Sequence, residues 1–139
     1  MHRYSFLEHT ADIRILLEGE AFSDLFAAGT LAIAEILKPG CCTDQKPPFP
    51  IEKILRLESG DRTALLIDFL SDVLTQCHVD RAIYCAVSVK HLSETEIEAV
   101  IAGTQVKAFE DDIKAVTYHE AEVRQDAEGN WSCMVIVDI

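Results

Sequence analysis

Hydrophobic residues recur along this chain with two different periods, and the period changes at recognisable stops. Apolar positions return every three to four residues in two stretches, which predicts two helices. The first prediction takes Ser23 as the N-cap and runs to about residue 37, where Pro39 and Gly40 end it. The second helix is predicted over 63–78 with Asp61 as its cap, and its near-continuous apolar side indicates deep burial.

The remaining apolar residues follow the period of two that is typical of strands. Strands are predicted over these ranges: 3–6, 13–19, 51–58, 82–91, 96–107, 113–124 and 131–139. The sequence D-A-E-G-N between the last two is a hairpin signal. Because consecutive strands usually pair antiparallel, we expect two strands, a helix, a strand, a helix and a four-strand meander. This order predicts an α+β fold with two helices packed on a mostly antiparallel sheet.

The length of 139 residues is that of one domain, 1–139, with a core of its own. Residues 38–50 form the one long loop, and neither side of it is long enough to fold alone. No apolar run approaches the roughly 18–20 residues of a membrane helix, so we expect no membrane partner. The first residues lack the charged and apolar regions of a signal peptide, which predicts a cytoplasmic protein.

The charge balance limits the kinds of partner. Twelve Lys and Arg residues face 24 Asp and Glu residues, for a formal net charge of −12. Such a surface repels phosphate backbones, so direct, extended nucleic-acid binding is not expected. It suits cations or a basic protein partner, although acidic charge can also serve solubility alone.

Five cysteines are present, and none forms a C-x-x-C motif. Cys77, Cys85 and Cys133 fall in apolar patterns and are predicted to be small core residues. Cys41 and Cys42 could bind a metal with His78, but zinc-type spacing is absent. The thiols are expected to be reduced, as in a cytosolic protein.

Carboxylates near two strand ends are the first candidates for chemistry. Asp138 precedes Ile139, and its side chain and the terminal carboxylate would repel each other without a cation, a basic side chain or water nearby. An exposed strand end in water is the alternative interpretation. Asp12 follows E-H-T-A, where an aspartate often only forms a turn and His9 can be structural. Lys114 lies in a stretch that also fits an ordinary half-exposed strand.

Several enzyme signatures are absent from the sequence. It contains no G-x-x-x-x-G-K-[ST] or G-x-G-x-x-G phosphate loop, no G-x-S-x-G elbow and no H-E-x-x-H. An autonomous nucleotide-using enzyme is therefore not expected.

Four separated motifs give the chain a family resemblance. They are F-L-E-H-T-A-D-I at 6–13, A-L-L-I-D-F-L-S-D-V-L at 64–74, I-K-A-V-T-Y-H at 113–119 and V-I-V-D-I at 135–139. In this order the chain resembles archease. The resemblance implies a small cytosolic module related to the strand-helix-strand-strand class. It also implies a non-catalytic activator of the RtcB-type RNA ligase, which joins tRNA halves in tRNA splicing after it is guanylylated with GTP and divalent metal.

The resemblance also implies a metal site. The family's metal positions correspond to Asp12, Asp138 and the terminal Ile139. Carboxylate oxygens are hard ligands, so Ca²⁺ is the expected ion, with Mg²⁺ or Mn²⁺ as alternatives. Contacts to the ligase are expected from Lys114, Asp112 and His9. The chain departs from the family in a short stretch over 103–112, where Asp112 stands in place of the glutamate of many archeases.

Two other functions compete with ligase activation. A general chaperone or adaptor is one, although only two methionines are present and promiscuous binders often use Met-rich surfaces. A small hydrolase or ligand-binding module is the other, and the missing nucleophile and base signature weighs against it.

Overall fold

A computed structural model of the protein describes residues 1–7 and 12–139. In this part of the chain eleven elements follow one another: β1 (His2–Leu7), β2 (Asp12–Gly19), α1 (Phe22–Leu37), α2 (Cys41–Asp44), β3 (Ile51–Glu58), α3 (Arg62–Asp80), β4 (Ala82–Leu92), β5 (Glu96–Gln105), β6 (Ala115–Thr117), β7 (Arg124–Gln125) and β8 (Trp131–Asp138). No helix of the described residues is both long and apolar enough to cross a membrane.

The starts of the two long helices show different capping chemistry. Asp61 caps α3 as predicted, because its carboxylate accepts the Ala64 N–H at 2.8 Å. The prediction of Ser23 as the cap of α1 is wrong, since Ala21 holds that position. Asp24, in the first turn, accepts the N–H groups of Glu20 and Ala21 at 3.0 Å each. An acidic residue in the first turn also suits the helix dipole, so the capping oxygen comes from inside the helix.

Two antiparallel sheets build the β part of the fold. The larger has the order β1-β2-β8-β6, with β7 also paired to β8, and the smaller has the order β3-β5-β4. The α+β class and the antiparallel pairing are thus confirmed, but the single sheet with a closing four-strand meander is wrong. Alternation reports which face of a strand is buried and says nothing of its partner, so the pairing of β8 with the distant β2 left no local signal.

The strand predicted over 113–124 is also wrong in extent. Only Ala115–Thr117 and Arg124–Gln125 are strands, both paired to β8. Between them the backbone turns, with the Ala121 N–H bonded to the Tyr118 carbonyl at 3.0 Å and Glu120 at a φ of 58°. The left-handed conformation of Glu120 is incompatible with a continuous strand.

The helices join the two sheets around one core. Helix α1 contacts β1 and β2 of the larger sheet and β4 of the smaller one, and α3 contacts β6 as well as β3 and β4. The two helices meet closely at Gly29, where a Cβ atom would lie 2.6 Å from a Leu70 methyl group. Beside this contact the rings of Phe26 and Phe69 pack edge to face at 5.2 Å.

The cysteines depart from the prediction in one pair. Cys42 of α2 and Cys85 of β4 form a disulfide with their Cα atoms 5.5 Å apart, so the expectation of reduced thiols is wrong for these two. Cys77 and Cys133 are buried free thiols as predicted, and Cys41 is a third. A metal site of Cys41, Cys42 and His78 is wrong as well, because the Cys42 sulfur is in the disulfide and His78 lies 3.2 Å from Asp112. The disulfide joins residues 43 positions apart, and sequence spacing carries no information on such a distance.

Candidate functional site: a carboxylate pair at the end of β2 and β8

The end of the β2–β8 ladder brings two predicted site residues together. In the antiparallel register Asp12 lies directly opposite Asp138. Side chains opposite each other in such a ladder point to the same face, with Cβ atoms about 4.5–5.5 Å apart. Asp12 is half-buried and Asp138 is exposed. The structure therefore pairs the two carboxylates that the motifs place 126 positions apart.

A third strand fixes this end of β8 from its other side. Ala115 is the register partner of Asp138 in the β6–β8 ladder. The Lys114 N–H donates to the Asp138 carbonyl at 2.8 Å, so the main chain of β8 is held on both sides up to Asp138. Ile139 follows directly, with its side chain 49% exposed. A carboxylate on such a strand end is held close to its neighbours by the backbone itself.

An open cleft of about 560 Å³ lies beside Asp12. One wall comes from β1 and β2, and the other from the end of α1 and the residues near it. The lining residues are Phe6, Leu7, Asp12, Ile13, Glu35, Ile36, Pro39 and Asp111. The cleft thus combines three carboxylates with an apolar surface that includes the exposed Phe6 and Leu7 side chains.

The donor groups predicted around the pair are all hard oxygen ligands. Among residues 1–7 and 12–139, no three His, Cys, Asp or Glu side chains converge as a metal-binding group. The predicted site contains only two side chains, those of Asp12 and Asp138. Its third ligand is the main-chain carboxylate of Ile139. All three are oxygen donors, which fit Ca²⁺, Mg²⁺ or Mn²⁺, and water would complete six or more ligands. The residues present therefore fit such an ion.

The other predicted site residues lie in different surroundings. His9 falls outside the described residues. Asp112 is 68% exposed and lies 3.2 Å from the His78 ring of α3. Lys114 has an exposed side chain and reaches the pair only through its backbone N–H.

Two cleft carboxylates were missed by sequence reasoning. Glu35 accepts the Gly40 N–H at 3.2 Å, and Asp111 is held by its N–H on the Leu37 carbonyl at 3.4 Å. A signal existed for Glu35, because an acidic residue near the C-terminus of a helix opposes the helix dipole and needs a local reason. Asp111 carried no such signal, since it lies in a loop whose path the pattern does not define.

The segment over 118–123 is tied to the sheet and to α3 beside this site. Arg14, two residues along β2 from Asp12, donates to Glu120 at 2.6 Å. Tyr118 donates to Asp68 of α3, and this hydrogen bond, together with burial, raises the pKa of Tyr118. The Val123 N–H donates to the Thr63 hydroxyl at 2.9 Å. These contacts hold the chain that follows β6, where a continuous strand was predicted.

The fold and the strand-end carboxylates define the class of the protein. It is a small α+β protein of antiparallel sheets, with an acidic candidate site at paired strand ends. The chain matches the sequence model of the Archease protein family (MTH1598/TM1083) over residues 4–139. The protein therefore belongs to the archease family, as the four motifs predict.

Relatives and solved structures agree with this assignment. Protein archease of Methanosarcina mazei is 34% identical over 145 residues, which cover 99% of this chain and 96% of the relative. Protein archease of Pyrococcus abyssi is 25% identical, with all of both chains covered. The solution structure of Methanobacterium thermoautotrophicum protein 1598 superposes with a TM-score of 0.78 at 23% identity and covers 98% of each chain. A Thermotoga maritima archease, described as a possible chaperone, gives 0.67 at 19% identity and covers 96% of this chain and 94% of its own.

Proposed function

We propose that this protein is a non-catalytic cofactor that activates an RtcB-type RNA ligase in tRNA splicing or RNA repair by promoting guanylylation of the ligase with GTP. Membership of the archease family supports the proposal, and the register pairing of Asp12 with Asp138 is the observation that carries it. These are the two side chains that the family resemblance assigns to the metal site. The β2–β8 ladder brings them directly opposite each other.

The proposed metal site consists of Asp12, Asp138 and the carboxylate of Ile139. Three carboxylates around one divalent cation leave a net charge of −1, so the ion would remove the repulsion between groups that the strands hold close. Ca²⁺ is the proposed ion, with Mg²⁺ and Mn²⁺ as alternatives. When bound, the ion supplies a fixed positive centre on an otherwise acidic surface.

The proposed partner surface lies around this strand end. Asp112 and Lys114 directly precede β6, and His9 precedes Asp12 in sequence. The net charge of −12 supports contact with the ligase protein and opposes extended contact with RNA. We propose that the encounter takes place in the cytoplasm.

A general chaperone or adaptor is the second candidate. The Thermotoga maritima relative is described as a possible chaperone, and in this chain Phe6 and Leu7 expose 43% and 39% of their surface at the cleft. Exposed apolar side chains of this kind can hold unfolded segments. Suppression of aggregation of an unrelated heat-denatured enzyme, at equimolar protein and without the ligase, would favour this candidate.

The decisive experiment measures ligase guanylylation with labelled GTP, with and without the protein. Wild type should raise the rate, whereas Asp12→Ala and Asp138→Asn should fold normally and leave the ligase near its basal rate. Glu128→Gln is the matched control, because it removes the same charge in the hairpin turn at the opposite end of β8. Full stimulation by Asp12→Ala would refute the metal-site reading, and an unfolded Asp12→Ala would make Asp12 structural.

The non-catalytic part of the proposal has its own test. The protein alone should neither join RNA ends nor hydrolyse GTP. Turnover of either substrate that persists at constant specific activity through further purification would contradict this expectation.

A further inference from the structure

Residues 38–50, which we call the α1–β3 segment, connect two separate surfaces of the molecule. At its start Pro39 lines the cleft beside Asp12. Near its end Pro47, Pro48 and Phe49 line a second cavity of about 260 Å³ against β4 and β5 of the smaller sheet. The short helix α2 lies between these two contacts and carries Cys42. A constraint on Cys42 therefore acts on both ends of the segment.

The middle of this segment lies at the surface of the protein. Residues 43–48 are exposed, and α2 is a single turn of four residues. Just before α2, the Gly40 N–H donates a hydrogen bond to the Glu35 carboxylate of α1 at 3.2 Å. Helix α2 packs on α1 and β4 through contacts that include the buried Cys41, and the disulfide from Cys42 to Cys85 of β4 adds a covalent link. A helix this short does not persist in water without tertiary contacts.

We propose that the Cys42–Cys85 disulfide is a reversible redox switch that holds the α1–β3 segment, and with it the Pro39 wall of the Asp12 cleft, against the smaller sheet. In the oxidised protein the segment is fixed. In the reduced protein α2 detaches from β4, and the cleft wall becomes mobile. This property is independent of the proposed ligase activation.

The two sulfur atoms differ in accessibility, which defines the order of exchange. Cys42 is half-buried, whereas Cys85 is only 8% exposed at a bulge of β4. A glutathione thiolate would attack the Cys42 sulfur, forming a mixed disulfide and releasing Cys85 as a thiolate that takes up a proton. A second glutathione then attacks the glutathione sulfur of the mixed disulfide and releases the Cys42 thiolate. Two electrons thus pass from two glutathiones to the cysteine pair, and glutathione disulfide is the product.

The remaining thiols are poorly placed to compete. Cys41 adjoins Cys42 but is buried, and burial raises the pKa of Cys41, with Asp44 adding to this effect and Lys38 opposing it. Burial raises the pKa of Cys77 and of Cys133 to about 11. Because the thiolate is the attacking form, these three groups react slowly near neutral pH. The exchange should therefore involve one cysteine pair.

The test equilibrates the full-length protein in glutathione buffers from fully reduced to fully oxidised. Thiols are trapped with acid and maleimide and counted by mass, and amide hydrogen exchange is followed in the same samples. Two thiols should appear together in one transition assigned to Cys42 and Cys85. Exchange over 40–50 should become at least about tenfold faster on reduction, while α3 stays protected. A pair that stays oxidised at every glutathione ratio, or equal exchange in both states, would overturn the proposal.

Cysteine variants separate the switch from nonspecific effects. Cys42→Ser with Cys85→Ser should show the fast exchange of the reduced protein even under oxidising conditions. Cys41→Ser is the matched control and should keep both the disulfide and the slow exchange. Loss of the disulfide in Cys41→Ser, or slow exchange in the double variant, would contradict the assignment. If the double variant does not fold, the reduced wild type decides by the same exchange measurement.

Discussion

Asp80 in α3 and the Asp12–Asp138 pair at the strand ends place carboxylates in opposite surroundings. Asp80 accepts two hydrogen bonds from the Lys53 ammonium, at 2.9 and 3.2 Å, and one from the Tyr84 hydroxyl at 2.5 Å. Asp138, in contrast, lies across the ladder from another carboxylate. In the described part of the chain it makes no salt bridge.

Asp80 is a structural carboxylate, whereas Asp138 is one that we propose to be a metal ligand. The hydrogen bonds of Tyr84 and Lys53 lower the pKa of Asp80, while burial and the bond to Asp80 raise the pKa of Tyr84. Asp80 thereby links β3, α3 and β4 and stabilises the fold. Asp138, in contrast, faces a like charge across the ladder, and like charges directly opposite each other destabilise a sheet. A cation bound between them would remove this repulsion.

The largest expected effect is stabilisation of the wild type by a divalent cation. At a Ca²⁺ concentration about 100 times its Kd, the free energy of unfolding should rise by about 2.7 kcal/mol, because only the folded state pairs the carboxylates. Urea unfolding with and without Ca²⁺ measures this difference, and Mg²⁺ and Mn²⁺ are compared in the same way. Glu128→Gln should behave as wild type. An equal gain in Asp138→Asn would show that the ion binds elsewhere.

Asp80→Ala should lower the free energy of unfolding by about 2 kcal/mol, because Lys53 and Tyr84 both lose their acceptor. Water reaches the Lys53 side chain, which is 35% exposed, and this limits the loss. Asp72→Ala is the control two turns earlier in α3, where the carboxylate accepts one bond from Gln76 at 2.9 Å. Its cost should be smaller. Stimulation of the ligase, measured per folded molecule, should be unchanged in both variants.

The pH dependence of the Asp80 effect has a defined sign. Because the folded state lowers the pKa of Asp80, its stabilising contribution is fully present above the unfolded pKa of about 3.9. The contribution is lost as the pH falls through the lower, folded pKa. The stability difference between wild type and Asp80→Ala should therefore be constant from about pH 6 to 8 and shrink below about pH 4. A difference that grows on acidification would contradict the assigned contacts.

Features that depend on residues close together in the chain were predictable from the sequence. The pattern predicted α3 and its Asp61 cap, because both depend on residues a few positions apart. The motifs also predicted Asp12 and Asp138 as one metal site; the register places the two residues opposite each other, and their binding of a metal stays a prediction. The Lys53–Asp80–Tyr84 cluster was not predicted, since it needs the packing of three elements and its members have no common spacing.

The remaining errors have physical causes of the same kind. The division into two sheets depends on β8 pairing with β2 rather than with its sequence neighbours alone. The break in the strand at Glu120 accompanies two tertiary hydrogen bonds. Glu120 accepts one from Arg14, and Tyr118 donates the other to Asp68 of α3. The Cys42–Cys85 disulfide depends on α2 reaching β4. In each case long-range contacts override a local preference.

Neutralising the Ile139 carboxylate should change calcium binding by less free energy than the stabilisation that bound Ca²⁺ provides. A short Gly-Ser tail after Ile139 converts its carboxylate to a neutral amide carbonyl and leaves every side chain in place. Calcium affinity should fall about tenfold, or about 1.4 kcal/mol. Calorimetric titration measures it, and an amino-terminal tag is the control. Amidation of Ile139 tests for steric block by the tail. Equal affinity in the tailed, amidated and native forms would show a solvated strand end.

The smallest expected effect isolates the repulsion within the pair. Without divalent ions, Asp138→Asn should raise the free energy of unfolding by about 0.5 kcal/mol, because like charges directly opposite in a ladder destabilise it by a few tenths to 1 kcal/mol. Asparagine keeps the size and shape of the side chain, so the change is one of charge. The gain should shrink in about 1 M salt, where the Debye length is about 3 Å, since Asp138 is exposed. Urea unfolding in a chelator at low and high salt measures both values, with Glu128→Gln as the control for loss of one negative charge at the other end of β8. A loss of stability in Asp138→Asn would mean that this carboxylate, like that of Asp80, stabilises the fold through contacts of its own.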